Sequence, residues 1–133
     1  MLSTVLSVSG EDFSANAAAR RLRQMIDLSQ TNFSLVKVRT RKGDARDVLR
    51  LVLSDDHDAK DHLKQICDGV DKLLSFIAAE KARHGNLSIY ISTAIGVGDS
   101  EHFTRSFGLT ADFLAKLAAL GINYETTAYS CCD

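Results

Sequence analysis

The 133-residue sequence contains no proline and only eight glycines. Both residues interrupt regular structure, so their scarcity predicts long helices and strands joined by short turns, and it excludes collagen-like, mucin-like and linker-rich chains. The composition, 45% hydrophobic and 25% charged, is typical of a globular domain. A chain of this length buries roughly two thirds of its unfolded surface in one core. We therefore expect a single domain over residues 1–133 that needs neither disulfides nor a metal.

The sequence also lacks the marks of export and membrane insertion. No basic segment precedes an apolar stretch at the N-terminus, as in a signal peptide. No apolar run approaches the roughly 20 residues of a membrane-spanning helix. The sequence has three cysteines, an odd number that cannot all pair within one chain, and they form no C-x-x-C motif: Cys67, Cys131 and Cys132. We therefore expect a cytoplasmic protein with reduced thiols and no membrane partner.

The net charge of −1 conceals an asymmetry along the chain. Residues 1–50 carry nine Lys and Arg against five Asp and Glu, whereas residues 51–133 carry seven against twelve. The first part is therefore basic and the second acidic. Such a distribution can steer a charged partner toward one region of the surface.

The spacing of apolar residues predicts eight elements in the order β-α-β-β-α-β-α-β. The predicted strands are Leu2–Ser9, Asn32–Thr40, Arg46–Ser54, Leu87–Thr93 and Ile122–Tyr129. The first predicted helix follows a turn at residues 9–12, and the third lies between Thr110 as N-cap and Gly121 as C-cap. The second is long and amphipathic, with apolar residues at helical spacing: Leu63, Ile66, Val70, Leu73, Leu74 and Ile77.

This order predicts an α+β fold with a ferredoxin-like split βαβ sheet that the last helix and strand extend. The helices are expected on one face of the sheet. On the third strand, Leu49, Leu51 and Leu53 share a face and are the predicted core residues. The other face of the sheet, rich in Ser, Thr and Tyr, is expected to stay open.

The segment Ala94–Gly108 is predicted to be a long irregular loop, and loops of this length often bind ligands or partners. It begins with Gly96-Val97-Gly98-Asp99-Ser100. This stretch lacks the third glycine of a dinucleotide-binding loop and the lysine of a P-loop, so nucleotide binding is not favoured. The loop is instead our first candidate for contact with a partner.

Acidic residues and histidines are crowded before the long helix: Asp55, Asp56, His57, Asp58, Asp61 and His62. Their spacing matches no known calcium or zinc motif. Carboxylates at a helix N-terminus are stabilised by the helix dipole, which explains most of them without a metal. As a solvated acidic surface, the same cluster suits a basic protein partner.

Other combinations of reactive residues give little support to catalysis or to nucleic-acid binding. Cys131 and Cys132 would need a base such as His84 or His102, and nothing in their spacing predicts one. The predicted hairpin is basic, but it has no aromatic residue of the kind that RNA-binding sheets stack on bases: Lys37, Arg39, Arg41, Lys42 and Arg46. We therefore expect no enzymatic activity, metal or cofactor.

Two motifs lie near the beginning and near the end of the sequence. The first is Ser9-Gly10-Glu11-Asp12-Phe13 after the first strand. The second is Leu117-Ala118-Ala119-Leu120-Gly121-Ile122, which leads to a terminal strand with Tyr129. Both motifs resemble those of a bacterial family catalogued as domain of unknown function four-two-seven-nine. With the element order, the resemblance spans nearly the whole chain. It implies similarity to small cytosolic immunity proteins encoded beside bacterial toxins, and it carries over no catalytic residue.

The sequence thus favours a protein-binding module, most concretely an immunity protein that neutralises a cognate toxin by direct binding. The predicted partner-binding residues are Asp55, Asp56, Asp58, Asp99 and Glu101. One alternative is a small-ligand domain or enzyme that uses the open sheet face with Tyr90, His102 and Cys131. Another is nucleic-acid binding through the basic hairpin.

Overall fold

The computed structural model describes residues 2–30, 34–39, 47–55, 58–97 and 107–130. These ranges contain the strands β1 (Leu2–Ser9), β2 (Ser34–Arg39), β3 (Asp47–Ser54), β4 (Ser88–Val97) and β5 (Asn123–Ser130). They also contain the helices α1 (Ala15–Met25), α2 (Ala59–Arg83) and α3 (Ala111–Leu120), and a 3₁₀ turn at Leu28–Gln30. The predicted α+β class is confirmed. No helix in the described ranges has a stretch long and apolar enough to cross a membrane.

The strands form one mixed sheet in the order β2-β3-β1-β4-β5. Neighbouring strands are antiparallel, except that β4 and β5 are parallel. β3 lies between β1 and β2, and α1 makes the connection from β1 to β2, which is consistent with a split βαβ arrangement. α3 connects the parallel strands β4 and β5.

The pairing registers bring four strand termini to one end of the sheet, which we call the Ser54 end. Thr4 near the start of β1 pairs with Ser54, and Leu2 pairs with Ile95 near the end of β4. Val97 and Ser130, the last residues of β4 and β5, also pair there. α2 begins beside this end, because only residues 55–58 separate it from β3.

The buried residues lie on one face of the sheet, where all three helices pack. Alternate residues of β1 are buried, and Leu49, Leu51 and Leu53 on β3 are in the same core cluster, as predicted. α1 and α2 add the residues Ala18, Leu22, Ile66, Val70, Leu73 and Ile77. On α3, Phe113 and Leu117 are buried, whereas Leu114 is 46% exposed.

The predicted end of the fourth strand at Thr93 is wrong, because β4 continues to Val97. Ala94 and Ile95 pair with β1 on one side and with β5 on the other. The ladder with β5 continues through Gly96 and Val97, and its backbone pairing outweighs the weak strand propensity of glycine. The predicted loop Ala94–Gly108 is therefore shorter at its start, and residues 98–106 lie outside the described ranges.

Gly121 ends α3 in a left-handed conformation with φ of 67°. An added Cβ would lie 2.5 Å from Nζ of Lys81. We expect Gly121→Ala to lower the free energy of unfolding by about 1–2 kcal/mol, since a side chain disfavours this backbone conformation. Gly85→Ala is the matched control, because its Cβ would meet no atom within 4 Å. Urea unfolding that shows equal stability for the two variants would contradict the prediction.

Candidate functional site

Three exposed carboxylates, Asp55, Asp58 and Asp61, lie at the Ser54 end and form what we call the acidic edge. Asp55 accepts a hydrogen bond of 2.7 Å from Oγ of Ser3. Asp58 is the N-cap of α2, and its side chain accepts from the backbone amides of Lys60 and Asp61 at 3.0 Å each. Asp61 occupies the first turn of the helix, where the helix dipole favours negative charge. The predicted site residue Asp56 lies outside the described ranges.

The other two predicted site residues, Asp99 and Glu101, also lie outside the described ranges. The described residues that flank them both lie at the Ser54 end. β4 ends there at Val97. Phe107, where the described chain resumes, places its ring centroid 5.3 Å from that of His62 on α2. The structure thus brings Asp55 and Asp58 to the end of the sheet at which the segment 98–106 leaves and returns.

A buried hydrogen-bonded chain of polar side chains lies beneath the acidic edge. His62 is fully buried, and its Nε2 lies 2.7 Å from Oγ1 of Thr4, while its Nδ1 lies 2.8 Å from Oγ of Ser54. Thr4 contacts Thr93 at 2.8 Å, and Thr93 accepts from the hydroxyl of Tyr124 at 2.8 Å. At the other end of this series of hydrogen bonds, Ser54 donates to Oε1 of Gln65 at 2.8 Å. We call these six residues the His62 network.

A β-bulge places Ser54 in this network. The pairing of β1 with β3 shifts register between Thr4 and Val5. In unbroken alternation Ser54 would share the open face with Val52, but the shift sets it opposite Thr4 on the buried face. Ser54 immediately precedes Asp55, so the bulge also fixes where the acidic edge begins.

The protons of the network can be assigned by following its two ends. Ser54 donates its single proton to Gln65, so it accepts from His62, which places a proton on Nδ1. Tyr124 donates to Thr93. In the arrangement in which Thr93 donates to Thr4 and Thr4 donates to Nε2 of His62, each contact of the network holds one proton. We take this arrangement as our prediction, with the ring proton of His62 on Nδ1.

This assignment predicts the tautomer that NMR should observe. The ¹⁵N chemical shifts of His62 are expected to report a protonated Nδ1 and an unprotonated Nε2 at neutral pH, because each hydroxyl in the network has one proton to give. Ser54→Ala removes the acceptor of the Nδ1 proton, and we expect it to perturb that resonance more than the Nε2 resonance. A proton on Nε2 in the unmodified protein would contradict the assignment.

The close approach of Ser54 to His62 does not form a nucleophile and base. A catalytic histidine must accept the serine proton, whereas here Ser54 gives its proton to Gln65 and accepts from His62. Ser54 is also only 2% exposed, so its hydroxyl is closed to a substrate. Both ring nitrogens of His62 contact hydroxyls and not the carboxylates of the acidic edge. The other histidine of the cluster before the long helix, His57, lies outside the described ranges. The network instead connects the end of β3 and the start of α2, which carry the acidic edge, to β1 and β4.

A second polar cluster lies at the opposite end of the sheet. Glu80 of α2 is 1% exposed and accepts two hydrogen bonds from Arg21 of α1, at 2.6 Å from Nε and 2.9 Å from Nη2. The hydrogen bond to Glu80 raises the pKa of Arg21 further above its already high value, and burial opposes this shift. His84, at the end of α2, packs edge-on against Phe13 with its Nε2 3.8 Å from Glu80.

The remaining candidates for chemistry are only partly described. Tyr90 lies exposed on the open sheet face, but His102 and Cys131 lie outside the described ranges. That face holds a shallow depression of about 280 Å³, lined in part by Ser7, Arg50, Glu125 and Tyr129. Of the basic hairpin, the structure gives the backbone of β2 with Lys37 and Arg39, while Arg41, Lys42 and Arg46 lie outside the described ranges.

The thiol of Cys67 is half-buried beside α3 and free of disulfide bonding. Burial raises its pKa, Asp71 and Asp68 raise it further, and Lys116 lowers it. At neutral pH it is therefore a protonated, weakly nucleophilic thiol. Cys131 and Cys132 lie outside the described ranges.

No family model matches the chain, and the search of curated proteins found no match. The resemblance to the family of unknown function therefore stays a prediction.

Sequence reasoning missed the His62 network, although one signal for it was present. Thr4 shares the buried face of β1 with Leu2, Leu6 and Val8, and a hydroxyl on a buried face needs a hydrogen-bond partner. Thr93 occupies the equivalent position on β4, where it pairs with Thr4. Two threonines at core positions thus indicated a buried polar network, but the third partner, on a helix, could not be identified without the fold.

Proposed function

We propose that this protein is a cytoplasmic protein-binding module that presents the acidic edge to a basic partner. In its most concrete form, it is an immunity protein that neutralises a cognate toxin by direct binding. The observation that carries the proposal is the placement of Asp55, Asp58 and Asp61, all exposed, at one end of the sheet. The resemblance to immunity proteins encoded beside bacterial toxins supplies the class of partner.

The His62 network beneath these carboxylates favours binding of a partner. The strand end that carries Asp55 and the helix start that carries Asp58 are joined through Ser54 and His62 to β1 and β4. A surface held by a satisfied buried network loses little conformational entropy when a partner binds. The acidic edge is thus preorganised, whereas carboxylates on a mobile tail would have to be ordered first.

The distribution of charge also favours an oriented encounter. Residues 40–46, which include Arg41, Lys42 and Arg46, connect Arg39 to Asp47 in the sequence, and this pair of residues lies at the far end of β3 from Ser54. Eight strand residues separate the two ends by about 23 Å, since each residue advances roughly 3.3 Å. That distance exceeds the Debye length of about 8 Å at physiological salt, so a partner near one end does not sense the charge of the other. A basic partner would therefore approach the acidic edge first.

The test is protection and binding with the products of neighbouring toxin-like genes. We expect co-expression of the unmodified chain to protect cells, and the variant with both Asp55→Lys and Asp61→Lys to lose protection. The same double variant should slow association at low salt by about tenfold or more, with a smaller effect at high salt, because surface charge acts mainly on the association rate. Asp58 is left intact because it caps α2.

Asp12→Lys is the matched control for charge. Asp12 is exposed in the turn after β1, at the opposite end of the sheet from the acidic edge. We expect this variant to protect and to bind like the unmodified chain. The proposal fails if the purified protein neither binds nor protects against any neighbouring gene product, or if Asp12→Lys weakens binding as much as the double reversal.

A further inference from the structure

A small cavity lies between two turns at the end of the sheet opposite the Ser54 end. Its volume is about 220 Å³. Residues 10–13, in the turn between β1 and α1, line one part of it, and residues 83–87, in the turn between α2 and β4, line the other. Sites for drug-sized ligands measure roughly 300–1,000 Å³, so a cavity of this volume suits a smaller molecule.

The two turns that form the cavity are packed closely together. The amide of Phe13 donates to the carbonyl of Gly10 at 3.4 Å, which closes the first turn. A Cβ added at Gly10 would lie 3.1 Å from Cδ2 of Leu87, so the glycine lets the second turn approach the first. The buried ring of Phe13 packs edge-on against His84, with 5.8 Å between the ring centroids. The cavity is therefore preformed, which lowers the entropic cost of binding a ligand there.

Two oppositely charged side chains line the cavity. Arg83 is exposed at the end of α2, and Asp12 is exposed in the turn after β1. Neither forms an ion pair or a side-chain hydrogen bond with another residue in the described part of the chain. A concave site with a few convergent polar groups is the usual form of a small-ligand site. Here the two charges leave room for a ligand that pairs with both.

His84 adds a hydrogen-bond acceptor to this lining. Its Nε2 is buried without a hydrogen-bond partner, 3.8 Å from Oε2 of Glu80. A carboxylate at this distance favours a proton on Nε2, and the neutral ring then has an unprotonated Nδ1. Of the two ring nitrogens, only Nε2 is both buried and unbonded. Nδ1 is therefore the nitrogen that a molecule in the cavity can reach.

We propose that this cavity binds a small zwitterion with an ammonium and a carboxylate group, as in a free α-amino acid. The guanidinium of Arg83 binds the carboxylate, since its paired donors match the two carboxylate oxygens. Asp12 binds the ammonium group, and Nδ1 of His84 accepts one of its protons.

The charges of the lining favour a zwitterion over an ion of one sign. A simple anion would meet two carboxylates, because Glu11 also lines the cavity beside Asp12. A simple cation would meet the guanidinium of Arg83. Like charges brought together in a concave site repel, whereas a ligand with both charges pairs with both kinds of group.

Titration of the ¹⁵N-labelled chain with each of the common α-amino acids tests the site. At least one amino acid is expected to shift the amide resonances of residues 10–13 and 83–87, with a dissociation constant of about 1 mM or lower. The Nδ1 resonance of His84 should shift in the same titration. The carboxamide derivative of that amino acid lacks the carboxylate, and its N-acetyl derivative lacks the ammonium group. Each derivative should bind at least about tenfold more weakly.

Variants of the two charged residues test their roles. Arg83→Gln and, separately, Asp12→Asn should each raise the dissociation constant at least about tenfold, because each removes one charge and keeps a side chain of similar size. Both residues are exposed, so both variants are expected to fold. Arg20→Gln is the matched control, because Arg20 is also exposed but does not line the cavity. It should leave the dissociation constant unchanged.

Three results would overturn the proposal. The first is a set of titrations in which no amino acid shifts the resonances of the two turns. The second is a carboxamide or N-acetyl derivative that binds as tightly as the amino acid. The third is an Arg20→Gln variant that binds as weakly as Arg83→Gln. None of these results bears on the acidic edge, because the cavity lies at the other end of the sheet and the titrations use the purified chain alone.

Discussion

His62→Leu is expected to lower the free energy of unfolding by about 2–4 kcal/mol. Leucine occupies a similar volume but removes the acceptor of the Thr4 proton and the donor to Ser54. A buried polar group that loses its partner costs roughly 1–3 kcal/mol, and two such groups are created here. Since whole domains are stable by about 5–15 kcal/mol, this is a large fraction. Chemical denaturation measures the change directly.

A combined variant separates loss of hydrogen bonding from loss of packing. Adding Thr4→Val and Ser54→Ala to His62→Leu removes the two buried hydroxyls that had bonded to the ring. Of the groups that bonded to these hydroxyls, Thr93 keeps its bond to Tyr124, and Gln65 is only partly buried. We therefore expect this triple variant to be more stable than His62→Leu alone by about 1 kcal/mol, because a buried polar group that lacks its partner costs more than an apolar group in its place. Lys64→Leu, exposed on the same helix, should change stability by less than about 0.5 kcal/mol. A triple variant less stable than the single one would contradict the role of the network.

Arg21→Ala is expected to lower the free energy of unfolding by about 2–4 kcal/mol. The change leaves the carboxylate of Glu80, almost fully buried, without the two hydrogen bonds that compensate its charge. Breaking a buried ion pair typically costs 3–5 kcal/mol, and we take a lower value because a quarter of the Arg21 side chain is exposed. Thermal or chemical denaturation measures the change.

Two further variants test the geometry of this pair. Arg23→Ala on the same helix removes an exposed charge and should change stability by less than about 0.5 kcal/mol. Arg21→Lys keeps the charge but loses the paired donors, so its stability should be intermediate. Because the pKa of Arg21 is raised, its contribution is complete below the unfolded pKa and is lost only in strong alkali. If the contribution of the Arg21–Glu80 pair to the free energy of unfolding disappeared between pH 7 and 9, this expectation would be contradicted.

The sequence was sufficient for the parts of the fold that repeat a pattern. Alternation identified β1 and β3 and the side of each that is buried, and helical spacing identified α2. The caps Thr110 and Gly121 were predicted because their residue types satisfy backbone groups locally. These features depend on neighbours a few residues apart along the chain.

The parts that could not be predicted depend on residues far apart in sequence. The β-bulge that turns Ser54 inward arises from pairing with Thr4, fifty residues earlier, and leaves no local pattern. β4 extends through Gly96 because its ladder with β5 continues there, thirty-three residues away in sequence. The hydrogen bonds of His62 cross three elements, so no spacing of histidines predicted them. Asp55 and Asp58 were predicted from composition, whereas their rigid support was not.

Hydrogen exchange on the chain alone and bound to the toxin-like product of a neighbouring gene is the most direct test of the acidic edge. The account predicts slower exchange on binding at residues 55–61 and at the start of β1, with little change in the turn after β1 that contains Asp12. Slowed exchange confined to that turn or to the outer edge of β5, with residues 55–61 unchanged, would contradict it.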